Sequence, residues 1–311
     1  MSSYTYPAPP ATVVGGDKVD VHHLMNTPAL IARRVRELLD GRYIADALLT
    51  GRFQAVGGAV LYETGEPIET EDDPEAVAPG AGYPLTKANS GTLAAAKTTK
   101  WGRDTEVTDE AISRLGINPV DRAFAKLVNR SVRFVDSAAM GVIASRLSET
   151  YDVTAAGNPG AWTTADAIVE GALLAKAQVD TLNEGFNLNV IVLNDTQWAR
   201  VIARLHSKGY FPREQGNPLL TNIWPEAFGL TWMKTPNTVG PNPVMLDTAQ
   251  LGGMADENIG GPGYIQTGGV GVETKAIRED KLDKYLLRAR RVTVPVVTEP
   301  QAGIVIQNTG I

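Results

Sequence analysis

The longest unbroken hydrophobic periodicity in the chain starts at Asn118 and runs to about Thr150. Val120, Phe124, Leu127, Val128, Val132, Val135, Ala138, Ala139, Val142, Ile143 and Leu147 recur at helical spacing, while Arg122, Lys126, Arg130, Arg133 and Arg146 take other positions. Asn118 and Pro119 supply an N-cap and a proline at the first helical position. About 31 residues rising 1.5 Å each make a rod of roughly 45 Å. An ordinary helix has about 11–12 residues, so this one is long enough to act as a spine. Just upstream, Thr108 is placed to cap a short helix with Asp109 and Glu110 in its first turn, where carboxylates suit the helix dipole.

The rest of the pattern predicts an α+β chain. Residues 1–26, with Pro7, Pro9, Pro10 and Gly15-Gly16, read as an extended arm. Residues 27–51 read as a helical segment. Thr27 caps it, Leu30, Ile31, Val35, Leu38 and Leu39 form its stripe, Gly41 ends it, and a short piece from Tyr43 to Leu49 follows. Residues 52–103 have little periodicity. Ala59 to Glu63 and Thr92 to Trp101 are strand-like limbs around a polar segment, and a stretch this long needs a functional reason, which a projecting β-hairpin supplies. After Gly157 to Gly160 the pattern becomes compact α/β. Thr163 and Asp166 form a capping-box variant opening a helix to about Leu182, Leu188 to Leu193 is a buried strand, and Asn194 or Asp195 caps a helix to about Ser207. Loops at 208–229 and 252–269 flank strands at Leu230 to Lys234 and Val244 to Asp247. The tail is β-rich, with strands at Gly271 to Arg278, Lys284 to Val297 and Gly303 to Gln307.

Composition narrows the chemistry. The chain has 311 residues, a net charge of −6 and no cysteine, which excludes disulfides, thiolate metal sites and a cysteine nucleophile. Its N-terminus lacks the basic and apolar regions of a signal peptide, and no apolar run approaches the roughly 20 residues of a membrane span. The only histidines are His22, His23 and His206, without the partners that triad chemistry requires. Phosphate-loop, zinc-protease and nucleophile-elbow patterns are absent, and no catalytic, cofactor or metal residues are assigned. Glu63, Glu66, Glu69, Glu71, Asp72, Asp73 and Glu75 form an acidic cluster that reads as a solvated loop. The returning limb carries Lys87, Lys97, Lys100 and Arg103 with no acid before Asp104. Such opposite charge can steer and register a neighbouring subunit, with Trp101 beside it as a further contact. Arg288, Arg290 and Arg291 in the C-terminal strand read either as arginines on an exposed strand face or as contacts to packaged nucleic acid or an acidic neighbour.

The order of arm, helix, long loop, spine helix, compact α/β part and β-rich tail resembles the major capsid proteins of tailed phages, whose Hong Kong phage-type fold is shared with encapsulins. The resemblance covers nearly the whole chain. It is carried by Lys97 to Leu115 (KTTKWGRDTEVTDEAISRL), by the helix–strand pair in 163–193, and by Tyr285 to Ile306 with Val297, Pro300, Ala302 and Ile304. It implies an extended loop at 52–103 lying over the adjacent subunit. It also implies a peripheral domain at 104–154 and 266–311 and an axial domain at 155–265. The expected function is a self-assembling icosahedral shell of pentamers and hexamers around double-stranded DNA, built in the bacterial cytoplasm and carried in the virion. A portal, a separate scaffolding protein and a decoration protein are the further partners the resemblance implies, with non-specific contacts to DNA and none to a membrane. Some relatives cross-link a loop lysine to a late asparagine, for which Lys87, Lys97, Lys100 and Asn308 stand in the matching regions. Two other functions stay open: an encapsulin shell enclosing an enzyme, and an unrecognised α/β enzyme, which would need a deep polar pocket.

Overall fold

The computed structural model describes residues 43–66, 70, 72–87, 90–115, 118–210, 226–238, 240–267 and 271–311, and before them Val21, Met25, Thr27, Leu30, Ile31, Arg33 and Val35. In chain order the elements are α1 (Ile44–Leu48), β1 (Gly51–Gln54), β2 (Ala59–Thr64), β3 (Thr92–Lys97), β4 (Thr99–Thr108), α2 (Asp109–Leu115), α3 (Asn118–Arg146) and β5 (Glu149–Asp152). Next come α4 (Ala165–Asp180), β6 (Val190–Leu193), α5 (Asp195–Ser207), β7 (Glu226–Ala227), β8 (Leu230–Lys234) and β9 (Val244–Leu246). The chain closes with β10 (Gly252–Asp256), β11 (Ile265–Thr267), β12 (Val272–Glu279), β13 (Lys284–Val297) and β14 (Gly303–Gln307). Two compact units result. The first comprises Met1–Tyr43, Thr98–Phe134 and Asp256–Thr293, and the second Ile44–Lys97, Val135–Ala255 and Val294–Ile311.

In the first unit β4 pairs antiparallel with β13 over ten residues, from Thr99 opposite Thr293 to Thr108 opposite Lys284. The other side of β13 pairs with β12, and β12 with β11. Direct opposition places residues on a common face. Val107, Tyr285, Leu287 and Ala289 are buried on one face, whereas charged side chains dominate the other. The Thr108 hydroxyl accepts a hydrogen bond from the Ala111 N–H at 3.3 Å and so caps α2. Val21 and Met25, assigned from the sequence to an extended arm, are helical and buried. Burying an apolar side chain favours the helix there over a solvated arm. Most of the arm, with His22 and His23, lies outside the described residues, as does Gly41 of the helical segment that follows it.

α3 is a single helix of 29 residues. It ends four residues before the periodicity suggests because Glu149–Asp152 is claimed by parallel pairing with β14. Val135, Ala139, Met140 and Ile143 are buried along its last turns, and so is Asp136, whose carboxylate accepts the Ala45 N–H at 3.0 Å. The aspartate thus satisfies one of the free donors at the start of α1.

The second unit is organised by a mixed sheet in the order β5-β14-β9-β6-β8-β7. β6 and β9 are buried at every position, as continuous apolar strands in a covered sheet must be. α4 packs on β5 and β14, and α5 packs on β6 and β8. Thr164, one residue later than the sequence suggests, caps α4 by accepting the Ala167 N–H at 3.2 Å. Asn194 and Gln197 form a full capping box on α5. Residues 303–307, grouped by sequence with the β-rich tail, pair here as β14 because their alternating apolar side chains complete this core. In the same unit β1 lies beside β10, and β2 and β3 form a separate antiparallel hairpin.

Candidate inter-subunit surface

The β2–β3 hairpin has two unlike faces. Val60, Tyr62 and Ala96 pack with Phe53, Ala55, Ala255, Val294 and Val296 in a small apolar cluster. On the opposite face Leu61 and Leu93 sit diagonally across the strands, 70% and 67% exposed. Beyond the paired residues the chain is irregular. Tyr83 and Leu85 are 85% and 99% exposed there, a poor arrangement for apolar side chains in an isolated chain. The loop root is held by the Gly65 N–H, which donates to the Thr298 carbonyl at 3.0 Å. Burial raises the pKa of the adjacent Glu299 carboxyl, as do the nearby Glu66 and Glu184 carboxylates, while a hydrogen bond from the Glu66 N–H opposes them. Glu63, Glu66, Asp72, Asp73 and Glu75 are exposed, and Glu69 and Glu71 lie outside the described residues. Lys87 is exposed in the loop and Lys97 at the end of β3, opposite Ala59.

Lys100, Trp101 and Arg103 lie elsewhere. The sequence pattern groups them with the returning limb of the loop, but they belong to β4, which begins at Thr99, so a boundary at 103 falls inside a strand. Only Thr98 separates β3 from β4, and its hydroxyl donates to Glu257 at 2.8 Å. The break is a change of partner, from β2 to β13, and leaves no glycine or proline in the sequence. Trp101 is half-buried, its ring 4.5 Å from that of Phe134 on α3. Lys100 and Arg103 are exposed.

Neither sequence reading of Arg290 and Arg291 holds. Both are buried, with side chains 7% and 3% exposed, and a buried cation needs a partner. Arg290 donates to Glu273 at 2.5 Å and to the Gly260 carbonyl, and its guanidinium lies 3.7 Å from the Tyr264 ring centroid. Arg291 grips Asp256 at 3.0 and 3.1 Å. Arg288, more exposed, is bidentate to the cross-strand Asp104 at 2.7 and 2.6 Å and holds that carboxyl below its usual range. Arg278 is bidentate to Asp109 at 2.6 Å, and Lys284 reaches Glu106 at 3.0 Å. Arg278, Lys284 and Arg288 are all held more firmly protonated by these partners. The charges of this strand therefore lace the sheet together. Sequence could have hinted at this, since β12 carries Glu273 and Glu279 six residues apart, an even spacing that puts both on one face of the strand.

Asn308 is exposed in the left-handed region at φ 60°, and its amide donates to Asp152 at 2.9 Å. His206 is exposed in the last turn of α5. Among the described residues no group of His, Asp and Glu could hold a metal ion, and no helix is long and apolar enough to cross a membrane.

A family model described as phage capsid protein matches residues 91–306. No curated protein matches the chain. Solved structures share its fold. A phage-related protein from Bordetella bronchiseptica is 11% identical with a TM-score of 0.58, over 91% of this chain and 97% of that one. The SrpI encapsulin from Synechococcus elongatus is 13% identical at 0.55, covering 87% and 88%. The capsid protein of cyanophage P-SCSP1u is 12% identical at 0.54, covering 83% and 86%. With the fold of these shells and a family match spanning most of its length, the chain belongs to the phage capsid protein family, a structural subunit of the capsid and not an enzyme.

Proposed function

We propose that the chain is the major subunit of an icosahedral shell, built from pentamers and hexamers, that encloses the double-stranded DNA of a tailed phage. One observation carries this reading. The β2–β3 hairpin and its loop present Leu61, Leu93, Tyr83 and Leu85 largely to solvent, which makes physical sense where neighbouring copies cover them. In this reading residues 52–103 lie against an adjacent subunit, and Lys87, Lys97, Lys100, Trp101 and Arg103 take part in contacts between subunits. Residues 104–154 and 266–311 then serve as the peripheral domain around the spine helix, with residues 155–265 as the axial domain at the symmetry axes. Contacts of one patch with a different patch repeat into closed shells when the rotation closes.

A scaffolding protein and a portal complete the assembly, which takes place in the bacterial cytoplasm, and packaged DNA is held without sequence readout. A decoration protein is a further partner. Electron microscopy of the purified full-length chain tests the reading. Shells or capsomers are the expected result, and a uniform dimer or tetramer would refute it. Particles enclosing a co-purified enzyme in place of DNA would mark an encapsulin.

A further inference from the structure

Four cations on α3 take no part in the ion pairs that lace the sheet. Arg122, Lys126, Arg130 and Arg133 are exposed, and among the described residues none of them pairs with a carboxylate. At about 100° per residue they fall within an arc of about 80° and span a rise of about 17 Å. The opposite side of the same turns carries Val120, Phe124, Leu127 and Val128, all buried, so packing fixes which way the arc faces. All four cations belong to the first compact unit. The two carboxylates of the helix do not offset them. Asp136 is buried against the Ala45 N–H, and Asp121 is half-buried outside the arc.

The arc carries charge and little else. Asn129 lies within it, exposed, and between Arg122 and Arg133 no apolar or aromatic side chain does. The helix's one exposed ring, Phe134, lies outside the arc and is packed against Trp101. Protein interfaces draw most of their energy from buried aromatic and apolar anchors, which this surface lacks. A phosphate backbone asks only for cations and polar donors. A duplex carries one charge per about 1.7 Å, so about 17 Å of it presents about ten phosphates, and the cations are matched in any register. The chain as a whole has a charge of −6, so its attraction for a polyanion has to be local.

We propose that Arg122, Lys126, Arg130 and Arg133 form a binding surface for the phosphate backbone of double-stranded nucleic acid, engaged without regard to sequence. The inference rests on the shell reading above and assigns the packaged duplex its contact, one side of the spine helix. Each copy contributes a weak, salt-sensitive contact. Repetition over a shell turns many such contacts into retention without any one of them being tight.

Binding of a fluorescent duplex of about 30 base pairs to the unassembled full-length chain tests the proposal, followed by anisotropy from about 50 to about 200 mM salt. With every cation of the stripe on a phosphate, the logarithm of affinity falls with that of salt at a slope of about −3.6, a loss of roughly 150-fold over this range. Arg122→Gln, Lys126→Gln, Arg130→Gln and Arg133→Gln combined are expected to weaken binding at low salt by at least about thirtyfold and to remove most of the slope. Arg130→Gln alone should make the slope shallower by about 0.9. Arg146→Gln, on another side of the same helix, should change neither quantity, and duplexes of unrelated sequence should bind within about threefold of one another. No binding by the unaltered chain at low salt, or a combined variant that keeps the slope, would overturn the proposal. So would a combined variant that holds the duplex normally yet assembles poorly, which would make the stripe a protein contact. If the combined variant fails to fold by circular dichroism, Lys126→Gln with Arg130→Gln gives the same reading, with the slope expected to fall by about half and an unchanged slope refuting the contact. Shells seen by electron microscopy without duplex binding would sink this inference and leave the capsid reading standing. Duplex binding by a chain that never forms shells would do the reverse.

Discussion

Removing the Arg290 guanidinium isolates the interaction on which the charged face of the first unit most depends. Glu273 is about as buried as its partner, with a side chain 5% exposed, and its carboxylate is held by Arg290 at 2.5 Å and the Gly260 N–H at 3.0 Å. Arg290→Met leaves that carboxyl buried with a backbone donor alone, a loss of about 3–5 kcal/mol. The stacking of Arg290 on Tyr264 disappears as well, adding about 0.5–2 kcal/mol. Against a typical total of about 5–15 kcal/mol, the variant is close to the limit of folding. Urea unfolding of the full-length chain, kept unassembled, measures the loss. Hydrogen exchange in residues 257–267 reads the local consequence, because both the N–H and the carbonyl of Gly260 are tied to this pair. A loss of 3 kcal/mol corresponds to roughly a hundredfold faster exchange where opening is local. Adding Glu273→Leu removes the orphaned carboxylate, so the double variant is expected to recover to within about 1.5 kcal/mol of the unaltered chain. An Arg290→Met variant less than about 1 kcal/mol weaker, or a double variant as unstable as the single one, would refute the reasoning.

Three further outcomes are expected. Asp136→Ala removes the acceptor of the Ala45 N–H inside the protein and should cost about 1–2 kcal/mol in urea unfolding, with Asp136→Asn costing less because an amide oxygen can still accept. Phe228 occupies the left-handed region at φ 59°, followed by Gly229 at φ 72° in the two-residue β7–β8 turn, so Phe228→Asn should stabilise the chain by about 1 kcal/mol, seen as a raised melting temperature. Because Arg288 lowers the Asp104 pKa, the stability that Asp104 contributes is complete above about pH 4, its unfolded value, and is lost as pH falls through the lower folded value. Unfolding followed from pH 5 to pH 2 should therefore show a smaller acid response in Asp104→Asn than in the unaltered chain, together with lower stability at pH 7.

Much of this architecture was legible in the linear order of residues. The helical period from Val120 to Leu147 marks α3, since one face of a helix must be apolar to be buried, and that requirement is written every three or four residues. The continuous apolar run at Val190–Leu193 and the capping residues Thr108 and Asn194 were equally local, each depending on neighbours a few positions away. The excess of acid in the loop and the lack of catalytic partners for the histidines were matters of composition. What tertiary structure alone decided was which distant groups meet. Arg290 and Arg291 look like surface residues until β12 and β10 bring Glu273 and Asp256 beside them. Asp136 breaks an apolar stripe for no visible reason until the start of α1 arrives 91 positions away in sequence. The end of the hairpin at Lys97 was hidden because the strand continues in the same extended backbone and merely exchanges one partner for another. Local sequence sets period, caps and charge through short-range sterics and hydrogen bonding, whereas strand pairing and the burial of ions depend on contacts that exist only once the chain has folded.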